Sequence, residues 1–103
     1  MPDNNVTVIR MKEFGEILGT RGLGERVRDQ IVSSLHSSDA RIVLDFEGVQ
    51  VMTQSFGDEL FRKLAAQINQ EDVARVRARG MSEDVLAVLR YSVSKKEPVT
   101  PKP

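Results

Sequence analysis

Ile42-Val43-Leu44-Asp45-Phe46 is a short, nearly unbroken apolar run between polar neighbours. Such a run reads as a central strand covered on both faces, and the rest of the chain is read outward from it. Upstream, Leu23, Val27, Ile31 and Leu35 recur every fourth residue and mark the buried stripe of a helix from about Gly22 to His36. Thr20 is its N-cap, and His36 closes it at the end where the dipole favours a cation. Ahead of that helix, Val6-Thr7-Val8-Ile9-Arg10-Met11 is rich in β-branched residues and reads as a strand. Glu13-Phe14-Gly15 turns the chain, and Glu16-Ile17-Leu18-Gly19 is expected to return as the second strand of a hairpin. Downstream, Phe56, Leu60, Phe61, Leu64 and Ile68 form the inner face of a second helix that should end near Asn69. From Val73 to Arg79 the pattern alternates, with Ala74, Val76 and Ala78 on one side and Arg75, Arg77 and Arg79 on the other. Ser82 then caps a last helix that carries Glu83 and Asp84 in its first turn. Strand and helix alternate, so the expected fold is α/β. It is a small open parallel or mixed sheet of about four strands, with about three helices mainly on one face.

Composition narrows the function. The chain has 103 residues, which suits one domain. Fifteen Lys and Arg balance fifteen Asp and Glu, so no long-range field gathers polyanions, and nucleic acid is not an expected partner. With no Cys and one His, neither thiol chemistry nor a Cys or His metal centre is expected, and no catalytic residue, metal or cofactor is assigned. No apolar run approaches the roughly 18 residues of a membrane span, and a cytoplasmic protein is the expectation. The end of the chain, from Ser92, carries three prolines and three lysines with little that is apolar. Residues 1–91 are expected to form the domain, with 92–103 a disordered tail.

Three constellations stand out. Arg75, Arg77 and Arg79 are the one basic cluster of the body, and without interleaved aromatics they read as charges that protect a strand edge. Thr20 and Arg21 lie in a glycine-rich turn before the first helix, where backbone N–H groups favour an anion. The densest polar cluster is Thr53-Gln54-Ser55-Phe56-Gly57-Asp58-Glu59, after the central strand and at the start of the second helix. Ser55 with Asp58 three residues on reads as a capping box, and adjacent Asp58 and Glu59 do not face each other on a helix.

The combination Leu44-Asp45-Phe46-Glu47-Gly48-Val49, a spacer, then Ser55-Phe56-Gly57-Asp58-Glu59 resembles a bacterial STAS-like family of uncharacterised proteins. More distantly it is similar to the STAS domains of anti-sigma-factor antagonists, in which the helix after the buried strand carries a phosphoacceptor hydroxyl. The resemblance places Ser55 on that phosphoacceptor position. Thr53 stands where the antagonists carry Asp, Gln54 where they carry Ser or Thr, and Phe56 where they carry Gly. What it implies is a non-enzymatic regulatory module that docks a histidine-kinase-type ATPase or a serine kinase. The implied docking surface is Gly48, Thr53, Gln54, Ser55, Phe56, Asp58 and Glu59. The rival reading is a nucleotide-binding or nucleotide-hydrolysing domain that uses Thr20, Arg21 and Ser55.

Overall fold

A computed structural model describes residues 5–94. The chain begins with β1 (Val6–Arg10), a 3₁₀ turn (Met11–Phe14), β2 (Ile17–Leu18), α1 (Arg21–Ser37), β3 (Arg41–Asp45) and β4 (Val51–Met52). There follow α2 (Gln54–Gly57), a π-helical segment (Asp58–Arg62) and α3 (Lys63–Gln67), which run on as one continuous helix, here the second long helix. The one-turn α4 (Gln70–Val73), β5 (Val76–Arg79) and α5 (Glu83–Ser94) complete the described chain. Every strand pairing is parallel. The main sheet has the order β1-β3-β5, and β2 pairs with β4 as a separate two-stranded ribbon.

The apolar stripes read from the sequence meet under this sheet. Ile9, Ile42 and Leu44 point from it into a core shared with Val27, Ile31 and Leu35 of α1, Phe56, Leu60 and Leu64 of the second long helix, and Val85 of α5. Thr20 Oγ1 accepts from the Leu23 N–H, and Ser82 Oγ from the Val85 N–H, so both expected caps are in place. The opposite face is open, with Val6 50% and Val8 39% exposed beside Arg10, Arg77 and Arg79. Among the described residues the sheet is therefore covered on one side, which corrects the expectation that its central strand is covered on both: Arg41 is exposed and Val43 and Asp45 are only half-buried on the open face.

Four further expectations are corrected. First, β2 does not return along β1. The 3₁₀ turn closes with Gly15 N–H donating to Lys12 O at 2.9 Å, and Gly15 then takes φ 133°, a value that suits a residue without a side chain. The chain runs on instead of reversing, and Glu16 O accepts from the N–H groups of Gln50 and Val51, which places β2 against β4.

Second, the second long helix stops at Gln67, because Ile68 is extended at φ −114°, ψ 161°. Asn69 then starts α4, its Oδ1 accepting from Asp72 N–H at 2.8 Å. Third, the last strand accordingly begins at Val76, and Arg75 does not join an outward stripe. Its guanidinium turns inward to the carbonyls of Leu35, Ser38 and Ala40, where α1 ends. A charged fork with five donors suits a group of carbonyls left open by a helix terminus.

Fourth, α5 continues through Ser94, and Ser92, expected in the tail, is fully buried. Residues 95–103 of that expected tail lie outside the described residues. Ser92 is small because α5 approaches the second long helix closely: a Cβ on Gly57 would lie 2.7 Å from Ser92 Oγ and 2.8 Å from a Val88 methyl.

Candidate functional site

The start of the second long helix is bound to the loop before α1 by one residue. Thr53 N–H donates to Leu18 O at 3.0 Å, and its hydroxyl donates to Gly19 O at 3.1 Å. The same oxygen accepts from Phe56 N–H at 3.2 Å, so Thr53 is the N-cap. This corrects the capping-box expectation. Ser55 is the second residue of the helix, half-buried, with no capping role. Asp58 does not reach back to it as a box would require, and its Oδ1 accepts from the Gln54 side chain at 3.0 Å. Replacing Thr53 by alanine is expected to cost about 1 kcal/mol of stability, and Ser55→Ala to stay within about 0.5 kcal/mol. Denaturant midpoints of the two variants check this assignment.

The two acidic residues are buried and aimed apart. Gln54 Nε2 donates both to Asp58 and to Ser92 Oγ at 2.8 Å, which ties the helix start to α5. Glu59 faces α1. Arg28 donates to its carboxylate at 2.8 Å and to its backbone carbonyl at 2.6 Å, Lys63 lies at 3.0 Å and Arg21 at 3.8 Å. The Arg28 hydrogen bond, then that of Lys63, holds the Glu59 carboxyl below its ordinary pKa against the opposing effect of burial. The helices come this close because position 24 has no side chain: a Cβ on Gly24 would lie 3.0 Å from Glu59 Cβ and 3.1 Å from Phe56 O. Asp58–Arg62 is the π-helical segment, a wider turn of a kind often found at functional sites.

Thr53 therefore ties the loop that carries Thr20 and Arg21 to the start of the helix that carries Ser55, while the Gln54 side chain is turned to Asp58 and Ser92 on the α5 side. Phe56, Asp58 and Glu59, expected on a docking surface, are buried. Gly48 is exposed at φ 88° in the loop after β3, packed against Lys12. It lines a different hollow, with Arg10, Lys12, Glu13, Asp45 and Glu47. There Asp45 accepts from Glu47 N–H at 3.1 Å, chiefly for which its carboxyl is held below the usual range, with Arg79 and Arg10 adding to the effect. Sequence reading missed the partners of Glu59. Lys63 was visible as an i, i+4 partner, whereas Arg28 lies 31 positions away and carries no local signal.

Among the described residues no group of His, Asp or Glu side chains is arranged to hold a metal ion, and no helix is long and apolar enough to cross a membrane. A family model described as a STAS-like domain of unknown function (DUF4325) matches residues 24–85. The matched span runs from Gly24, at the close contact with Glu59, to Val85 in the first turn of α5. No curated protein and no solved structure matches the chain.

Proposed function

The chain belongs to the family of STAS-like domains of unknown function, and we propose that it acts as a non-enzymatic regulatory module, docking a histidine-kinase-type ATPase or a serine kinase. The docking surface is Thr20, Arg21, Thr53, Gln54 and Ser55. The observation that carries this reading is the stitching of the two helix starts by Thr53, whose backbone and hydroxyl hold both segments in one place.

The same geometry supports Ser55 as the candidate phosphoacceptor. Its hydroxyl lies in the first turn of a helix, where the dipole and free N–H groups favour a phosphate. Repulsion from Glu59 is muted, because its carboxylate is surrounded by Arg28, Lys63 and Arg21, and Asp58 is turned to Gln54. The Arg21 side chain is 64% exposed and loosely held by Glu59 at 3.8 Å, so it can turn to a new phosphate. In the transfer, Ser55 Oγ attacks the γ-phosphorus of ATP held by the partner, the bond to ADP breaks, and the hydroxyl proton passes to a base of the partner.

The test is a pairwise binding screen of the full chain against the histidine-kinase-type ATPases and serine kinases encoded in its own genome, with intact mass read after addition of ATP. The expected result is one binder, a mass gain of one phosphate that Ser55→Ala abolishes, and binding weakened about tenfold by Arg21→Glu or Ser55→Asp. Absence of any binder overturns the reading. A chain that binds labelled ATP by itself, with Thr20→Val and Arg21→Ala losing that binding, also overturns it and establishes a nucleotide site.

A further inference from the structure

The last strand offers a second surface, remote in sequence from the helix starts. Among the described residues, β5 borders β3 on one side and no strand on the other. Ile42 N–H donates to Arg75 O at 2.8 Å and Phe46 N–H to Arg79 O at 2.9 Å, so the odd-numbered residues direct their main chain at β3. In a parallel strand the alternate residues direct theirs away. The N–H and C=O groups of Val76 and Ala78 thus form a free edge, with no partner strand among the described residues.

An apolar groove of about 260 Å³ runs along this strand, lined by Val76 and Ala78 together with Leu64, Ile68, Leu89 and Val93. At its border Val73 is 43% and Val93 38% exposed. Such a groove beside unpaired backbone is what an added strand requires: main-chain bonds along the edge and a pocket for its inward side chains.

Charge selects the occupant. Arg75 is spent on the carbonyls that end α1, and Arg79 is held by Asp45 at 3.5 Å. Arg77, also at the groove, is exposed and has no hydrogen bond or ion pair among the described residues. A second copy of β5 would set arginine against arginine across the pair, which opposes pairing. A strand that alternates acidic with aliphatic residues does the reverse, since its carboxylates share the outer face with Arg77 while its aliphatic side chains fill the groove. We infer that the β5 edge and this groove bind an extended acidic-aliphatic segment of another protein by strand addition.

The experiment titrates the full chain, labelled with ¹⁵N, with a capped peptide of alternating Glu and Val and with its Lys and Val counterpart. The expected result is saturable shifts at Val76, Ala78, Leu89 and Val93 with the acidic peptide, and at least roughly fivefold weaker binding of the basic one. Arg77→Glu should invert that preference. Ala78→Pro, which removes an outward N–H at an edge position, should abolish binding while the remaining spectrum stays folded. Ala65→Phe, at the groove wall and away from the ladder, supplies an independent block. Equal affinity for both peptides, shifts elsewhere, or unchanged binding by both blocking variants overturns the proposal. Concentration-dependent self-association through the same residues also overturns it, in favour of a second copy.

Discussion

Glu59→Ala is expected to lower stability by about 3 kcal/mol, a large part of what a domain of this size possesses. The carboxylate is the main charged partner of Arg28, whose side chain is 13% exposed and whose Nε has no hydrogen-bond partner among the described residues. Removing one member of such a pair leaves the other buried and uncompensated, which costs far more than the intact pair contributes. Lys63 and Arg21 are exposed to water and lose little. The melting temperature should fall by roughly 12–24 °C. pH gives an independent check. A carboxyl whose pKa is lowered on folding contributes stability that is present above its ordinary pKa and lost as pH falls through the lowered one. The wild type should therefore weaken progressively in acid below about pH 4.5, and Glu59→Gln should show a flatter dependence across that window. Coincident acid curves for the two proteins would show that Glu59 is not held in its charged form.

Arg75→Ala should cost about 2 kcal/mol, although the residue lies in what reads as a solvated stripe. Its guanidinium serves three carbonyls at the end of α1 and the carboxylate of Asp72 at 3.0 Å. Truncation leaves the carbonyls of Leu35, Ser38 and Ala40 to whatever water can reach them. Arg75→Lys should recover less than half of the loss, since one ammonium cannot reproduce the fork. Arg77→Ala, on the same strand, should change the denaturation midpoint by no more than about 0.5 kcal/mol equivalent. Equal effects at positions 75 and 77 would contradict the inward orientation of Arg75.

This contrast shows where the chain was legible. Signals that act within a few residues were read correctly: the caps at Thr20 and Ser82, the four-residue stripe of α1 and the apolar run of β3 as the central strand, though not its cover on both faces. The STAS-like resemblance likewise rests on a contiguous stretch, and the family match spans it. What failed depended on partners distant in sequence. β2 carries only two paired residues, and its partner is β4, more than thirty positions on, so nothing local distinguished it from the return strand of a hairpin. Arg75 looked like one of three equivalent arginines until the end of α1 was placed beside it. Ser92 looked like the start of a polar tail because its burial depends on Gly57 across a helix contact.

The candidate site was legible as a location and misread in its detail. The Thr53 to Glu59 cluster does open a helix beside the Thr20 and Arg21 loop. Two competing hydroxyls and two adjacent carboxylates, however, gave no local means of deciding which would cap and which would be buried. Thr53 took the cap because its oxygen bonds at once to Phe56 N–H and to Gly19 O, a contact 34 positions away. With the acidic pair withdrawn into contacts with Gln54, Arg28 and Lys63, the part of the cluster that still reaches the surface is the half-buried Thr53, Gln54 and Ser55.

Amide hydrogen exchange of the full chain, alone and bound to the ATPase or kinase that the screen selects, tests the docking claim most directly. The predicted result is slowed exchange confined to two segments, residues 19–24 and 53–58, lost together in Arg21→Glu. Slowed exchange in the loop after β3, along β5, or in only one of the two helix starts would contradict a docking surface built by Thr53 from both.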